Sequence, residues 1–270
     1  MIRQSIRERW QIVLGVAAMV VLAAMYTGTS YYQHHVVNPL DTTVPTWAQL
    51  WEGVQKIVEP SPLSSERWLL VDAKASGARL LAGLSLSVLG AIAMGVVMGC
   101  SKTCEAVFLP PLAFMAKVAA TAMIGVLFVL LGTDFALYVG IIMFGVLPMT
   151  AQSVALAVRD VSDESLYKAY TLGASHAEVV WNVVVRTILP KLIDATRLAI
   201  GPAVIFLIAV EMVCGDVGFG YRIRLQARLL NMNVVIPYVV MVGLFGLAMD
   251  YALRFLQRKV CPWYEPQDRR

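Results

Sequence analysis

Charged side chains are scarce in this sequence, and four long stretches have none. Asp, Glu, Lys and Arg make up 15% of the 270 residues, against 59% hydrophobic residues. The four uncharged stretches lie between Arg9 and Asp41, Arg79 and Lys102, Asp134 and Arg159, and Arg228 and Asp250. Each stretch is long enough for a helix across the hydrocarbon core of a membrane, which takes about 20 apolar residues. This composition excludes an ordinary soluble domain.

Two weaker apolar segments raise the predicted number of membrane spans to about six. One follows Pro110-Pro111 and carries Lys117, and the other begins near Leu192 and carries Glu211. Spans of this kind are helices, because lipid cannot satisfy exposed backbone groups. The sequence has long continuous apolar runs instead of the short alternating strands of a membrane barrel. We therefore predict an all-α, polytopic bundle of about six transmembrane helices.

The four cysteines do not suggest a disulfide framework or a metal site. They are scattered between the ends of the predicted spans, at Cys100, Cys104, Cys214 and Cys261. Both kinds of site need convergent spacing, so we interpret these residues as small apolar side chains.

The basic residues favour an orientation with both termini in the cytoplasm. An even number of spans places the termini on one side, and basic residues at both ends of the chain indicate the cytoplasmic side. We predict three regions. Residues 1–75 contain the N-terminal arm, the first span and a periplasmic segment. Residues 76–260 form the core, with a cytoplasmic loop at 159–191, and residues 261–270 form a cytoplasmic tail.

The loop at 159–191 has a clear pattern of helix starts and stops. Ser162 fits an N-cap, and Glu164 and Lys168 are spaced for a helical ion pair. Gly173 fits the left-handed residue that ends many helices. Ser175 and Glu178 then form a Ser-x-x-Glu capping box that predicts a second helix.

Pro190 suits the first turn of the fifth span. The predicted arrangement is a helix, a glycine break and a second helix, which makes a rigid protrusion on the cytoplasmic face. This protrusion could fit a groove on a soluble partner. The alternative is an ordinary cytoplasmic loop that happens to be helical.

A family resemblance favours the first interpretation. The segment Lys168-Ala169-Tyr170-Thr171-Leu172-Gly173-Ala174-Ser175, followed by Leu189-Pro190, resembles the EAA loop of ABC importer permeases of the nitrate/sulfonate/taurine branch. Glu211 with Gly218-Phe219-Gly220-Tyr221 is also similar to a pattern in that family, as is Ser76-Gly77-Ala78-Arg79. Three departures are clear. The first proline usually found after the second helix of the loop is replaced by Arg186. The family's Glu-Ala-Ala reads Lys168-Ala169-Tyr170, and its proline-rich third span reads Val118-Ala119-Ala120-Thr121.

The resemblance implies a type I importer permease in the bacterial inner membrane that carries no catalytic site and no cofactor. ATP and Mg would bind to a partner, a cytoplasmic ABC ATPase dimer. A periplasmic solute-binding protein and a second permease copy would complete the complex, and nucleic acid would have no part in it. The solute would be a small anion such as a sulfonate, taurine or nitrate. The residues implied in coupling to the ATPase are Glu164, Lys168, Ala169, Tyr170, Gly173, Ala174, Ser175 and Pro190.

Three residues are candidates for the solute path or its gate. Ionisable side chains inside a membrane are costly and usually functional, which selects Lys117 and Glu211. Thr121 lies in the stretch where the chain departs from the family. Each charged candidate has a simpler alternative: Lys117 could extend to the cytoplasmic interface, and Glu211 could belong to a pair between helices.

Other functional classes remain as alternatives. A secondary transporter driven by an ion gradient would show inverted repeats and acidic coupling sites, and the sequence has no internal repeat. An intramembrane enzyme would need convergent His, Asp or Ser groups in the bundle. A structural scaffold would not require a capped helical protrusion.

Overall fold

A computed structural model describes residues 8–37, 43–59 and 67–263. Every regular element in these ranges is helical, which confirms the all-α prediction. Five segments are long and apolar enough to cross a membrane: Val13–His35, Trp68–Cys100, Phe135–Arg159, His176–Cys214 and Met232–Val260. A sharply bent pair of helices makes a sixth span if its two halves are counted as a single span.

The bent pair is the predicted third span. Helix α4 (Lys102–Met115) begins before the two prolines and contains both of them. A short 3-10 turn (Ala120–Met123) then leads into helix α5 (Ile124–Leu131). The two halves are bent by 84°. The expected single helix after Pro110-Pro111 is therefore a broken one, and Lys117 lies at the break.

The remaining helices give the following order. Helix α1 is Glu8–Tyr32, followed by a π-helical turn at Gln33–Val37, and helix α2 is Trp47–Val58. Helix α3 is Trp68–Cys100, and α6 is Phe135–Arg159. Helices α7 (Asp163–Thr171) and α8 (His176–Glu178) precede a π-helical segment at Val179–Val185. Helices α9 (Arg186–Cys214), α10 (Phe219–Arg228) and α11 (Met232–Val260) complete the described part of the chain.

The chain divides into two compact units, of which residues 69–224 with 240–270 form the larger. Its core packs α3, α6 and α9 through buried residues such as Leu80, Ile142 and Leu207. Glycines let α3 approach α6 closely. A Cβ added at Gly99 would lie 2.5 Å from the Cβ of Val158, so no larger residue fits there without a shift.

The smaller unit comprises residues 1–68 with 225–239. Within it, α2 begins at a capping box in which Thr46 and Gln49 bond each other's backbone amides. Gly53 of α2 lies against the backbone of Asn233, and the Tyr26 hydroxyl donates to the carbonyl of Pro45 at 2.6 Å. Helix α2 therefore packs through a small residue onto the start of α11.

Candidate functional site

The predicted helix–glycine–helix protrusion is present at residues 163–178, which we call the knuckle. Helix α7 ends at Thr171, and Gly173 has a φ of +84°, the left-handed conformation that glycine adopts most easily. The amide of Ala174 donates to the carbonyl of Ala169 at 3.2 Å, which closes the turn. A tight, hydrogen-bonded break therefore joins the two parts of the knuckle.

The second part of the knuckle starts as the sequence predicts. The Ser175 hydroxyl accepts from the Glu178 amide at 3.4 Å, and the Glu178 carboxylate accepts from the Ser175 amide at 2.8 Å. These reciprocal bonds form the capping box. The Ser162 side chain, in contrast, bonds Ser165 Oγ at 2.8 Å and makes no cap. The predicted N-cap at Ser162 is therefore correct in position but not in its side-chain bond.

A π-helical segment joins the knuckle to the fifth span. Residues 179–185 are wound more widely than an α-helix. Together with α8 and α9 they form one continuous helical segment from His176 to Cys214. Pro190 is buried inside α9, which begins at Arg186. The predicted position of Pro190 in the first turn of the fifth span is therefore wrong, because the helix already runs through this point. Single-turn π-helices often mark functional sites in helices.

A buried cluster anchors the knuckle to the long helices. Val158 and Val161 from the end of α6 pack with Val184 of the π segment and Ile188 of α9, and Leu166 of α7 packs against this cluster. A displacement of the knuckle would therefore act directly on α6 and α9.

The outer surface of the knuckle is unusually apolar for a polar loop. Leu172 is 87% exposed and Tyr167 69% exposed, and Trp181 of the adjoining π segment is 70% exposed. The side chains of Glu164 and Lys168 are also exposed, and Glu164 Oε2 lies 3.8 Å from Lys168 Nζ. Tyr170 bonds His176 across the glycine break, with 2.7 Å between Oη and Nδ1. Exposed aromatic and aliphatic side chains on a rigid, capped element are typical of a protein-docking surface.

Glu211 lies in a different place, within a buried polar network at the end of α9 opposite the knuckle. Its side chain is completely buried. It accepts from Ser76 Oγ at 2.8 Å, from Arg79 at 2.9 Å and from the amide of Gly220 at 2.9 Å. The guanidinium of Arg79 lies 3.8 Å from the centre of the Tyr138 ring. These contacts form the pair between helices that the sequence left as one alternative for Glu211.

A second buried ion pair extends this network. Asp72 accepts from Arg222 at 3.0 Å and from the amide of Gly218 at 3.1 Å. Gly218 has a φ of +126°, and a Cβ there would lie 2.5 Å from the Glu211 carboxylate. The network therefore ties the turn between α9 and α10 to the first part of α3.

The sequence analysis did not identify Asp72. The signal that could have identified Asp72 is its spacing from Ser76 and Arg79. The three residues follow at intervals of four and three, which places them on one face of α3. Arg222, the partner of Asp72, lies in α10, where the sequence gives no sign of a pair with α3.

A cavity of about 360 Å³ lies between α6 and α9. Part of its wall is apolar, around Gly145 and Pro202, and part is polar, with Thr150, Lys191 and Asp194. A narrow cavity with a few convergent polar groups is the usual form of a small-molecule site.

The structure separates the three residues predicted for the path. Glu211 is buried in its network, whereas Lys117 is exposed at the break and Thr121 is exposed in the 3-10 turn that follows it. No group of three or more His, Cys, Asp and Glu side chains that could hold a metal ion occurs in the described ranges.

The arrangement of spans matches a solved transporter fold. The structure of the MetNI methionine ABC transporter in inward-facing conformations aligns with a TM-score of 0.57 over 73% of this chain and 99% of that chain. The sequence identity is 17%, so this likeness concerns the fold alone. The fold is that of a type I ABC importer permease.

A sequence model of the family described as "Binding-protein-dependent transport system inner membrane component" matches residues 79–261. The chain belongs to this family. It is therefore a permease component of a binding-protein-dependent ABC importer and a multi-pass protein of the inner membrane.

Individual relatives belong to the predicted branch. The taurine transport system permease protein TauC of Escherichia coli strain K12 is 24% identical over 97% of this chain and 94% of its own length. The bicarbonate transport system permease protein CmpB of Synechococcus elongatus is 25% identical over 68% of this chain and 66% of its own length. These similarities are consistent with the nitrate/sulfonate/taurine-type branch.

Proposed function

We propose that this permease docks a cytoplasmic ATPase through its knuckle and carries a small anion across the inner membrane. The observation that carries the proposal is the exposed apolar surface of the knuckle, fixed by a capping box and packed onto α6 and α9. A surface fixed in this way transmits a push from a partner to the spans without first deforming.

The coupling residues divide into two roles. Tyr170, Glu164 and Lys168 present side chains to the partner, together with Leu172, the most exposed large hydrophobic residue in the described ranges. Ala169, Gly173, Ala174, Ser175 and Pro190 set the shape of the knuckle and its link to α9. ATP and Mg bind on the ATPase, so this subunit takes part in the conformational cycle and performs no chemistry.

The solute path in this proposal runs along α6 and α9, past the cavity that these helices line. Both termini lie in the cytoplasm, a second copy of the chain encloses the path, and a periplasmic protein delivers the solute. The names of the relatives, which concern taurine and bicarbonate, support a small anion such as a sulfonate, taurine or nitrate. A secondary transporter has no comparable support, since the family itself is that of binding-protein-dependent systems.

Co-purification from the native host tests the docking. The tagged wild-type chain should retain an ATPase, measured as Mg-dependent ATP hydrolysis in the eluate. Leu172→Asp should lose most of this hydrolysis, because it places a charge at the centre of an apolar contact. Thr103→Asp is a matched control, since Thr103 is exposed near the start of α4 and lies outside the knuckle. Equal hydrolysis with both variants would contradict docking through the knuckle.

A further inference from the structure

Lys117 lies far from either end of its span, at a depth that can be read from its neighbours. Leu112, in the second half of α4, packs in one buried cluster with Leu147 and Ala151, near the middle of α6. Ile124, just beyond the break, packs with Tyr138 and other residues of the first half of α6. The break that carries Lys117 therefore lies level with the central part of α6.

This depth disfavours the simplest alternative for Lys117, in which its ammonium reaches the cytoplasmic interface. The 14 residues of α4 span roughly 21 Å at about 1.5 Å per residue, counted from Lys102 at the membrane end. A lysine side chain reaches only about 6 Å from its backbone, so its ammonium cannot extend to the surface from which α4 enters. The sequence analysis started this span after Pro110-Pro111, whereas α4 already begins at Lys102 and places Lys117 farther along the span.

The surroundings of Lys117 leave its charge without a partner. The side chain is exposed, and it forms no ion pair with any residue in the part of the chain that the structure describes. Facing lipid at this depth is costly for an ammonium group, and irregular backbone at this depth is tolerated only within protein or beside water. Lys117 therefore faces water or another subunit.

The described spans of a second copy would bring no unpaired carboxylate to Lys117. The acidic side chains of the described spans beyond the knuckle are each paired with an arginine. These pairs are Asp72 with Arg222, Glu105 with Arg159, Glu211 with Arg79, and Asp194 and Asp250 with Arg197. A copy of the same chain would bring these same pairs within the described spans.

We propose that Lys117 binds the anionic group of the transported solute midway across the membrane. The proposal rests on the proposed function and adds the residue that selects the charge of the solute. The 3-10 turn after the break contacts both α6 and α9, the helices that line the cavity. Thr121, exposed on the other side of the break, is in position to add a hydroxyl donor.

Labelling of single cysteines tests whether Lys117 faces water. Lys117→Cys and Val129→Cys are each made in a chain whose four cysteines are replaced by alanine. Val129 is a matched control because it lies on the apolar helix α5 and is 81% exposed. Membrane vesicles of both orientations are treated with the anionic sulfonatoethyl methanethiosulfonate. Lys117→Cys should react at least about tenfold faster, since the thiolate that reacts forms only in contact with water. Equal slow rates would overturn the proposal.

A charge-selectivity measurement tests the attraction of anions. Thr121→Cys is labelled with the anionic reagent and with its cationic trimethylammonium counterpart, and the ratio of the two rates is taken. Lys117→Gln should lower this ratio about fivefold, because a nearby cation favours one reagent and opposes the other. Lys117→Arg should preserve the ratio, and so should Lys102→Gln at the start of α4. An unchanged ratio in Lys117→Gln would overturn the proposal.

These measurements need neither the ATPase nor ATP. Their outcome is therefore independent of whether the knuckle docks the ATPase. Leu172→Asp should lose the ATPase and keep the labelling rates at residues 117 and 121. Lys117→Gln should keep the ATPase and lose the preference for the anionic reagent.

Discussion

The buried pair of Glu211 and Arg79 allows a quantitative test of the network that joins α3 to α9. Glu211→Met leaves the Arg79 guanidinium, only 12% exposed, with no carboxylate closer than the exposed Asp216 at 3.8 Å, and removes an acceptor from Ser76 and Gly220. Removal of one partner from a buried pair lowers the free energy of unfolding by about 3–5 kcal/mol, chiefly because the other charge stays buried. Arg79→Met should cost a similar amount for the same reason.

The double variant distinguishes a true pair from two independent contacts. If the two groups mainly compensate each other, Glu211→Met with Arg79→Met should cost no more than either single variant, because no unpaired charge remains. Arg254→Met is the control, since its pair with Asp250 is 44% exposed at the arginine and should contribute less than about 1 kcal/mol.

The assay is unfolding of the purified chain in mixed micelles by titration with dodecyl sulfate, followed by far-ultraviolet circular dichroism. A loss below about 1 kcal/mol for Glu211→Met would refute the reasoning. A double variant whose loss equals the sum of the two single losses would also refute it.

Other substitutions test particular contacts. Gly99→Leu should destabilise the chain by about 1–3 kcal/mol or more, because its side chain would overlap Val158. Gly15→Leu is the control: a Cβ at Gly15 has no atom within 4 Å, so this variant should leave the thermal midpoint unchanged. Ser175→Ala should loosen the start of the second knuckle helix by about 1 kcal/mol, seen as faster amide hydrogen exchange near residue 178. Gly173→Ala should weaken ATPase retention, because alanine is strained at a φ of +84°; retention equal to wild type would show that this turn tolerates a side chain.

Local signals in the sequence predicted the spans and the knuckle well. The absence of charge located the long apolar helices, since the cost of a charge in lipid acts wherever the helix lies in the bundle. The break at Gly173 and the capping box at Ser175 are set by residues within one turn, so they too can be read from a short segment.

Long-range contacts could not be predicted in the same way. Asp72 and Arg222 lie 150 residues apart, and nothing local to either residue indicates that the chain brings them together. The 84° break at Lys117 also escaped prediction. The residues at the break are Lys, Val and Ala, which include no glycine or proline to mark it. Its position depends on packing of α4 and α5 against α6.

The most direct test of the central claim is ATP-driven uptake by the complex purified through this chain, reconstituted in liposomes with its binding protein and radiolabelled taurine and nitrate. The account predicts uptake that requires ATP and is lost, together with the ATPase, when residues 162–176 are deleted. Uptake that survives the deletion, or that follows an ion gradient without ATP, would contradict it.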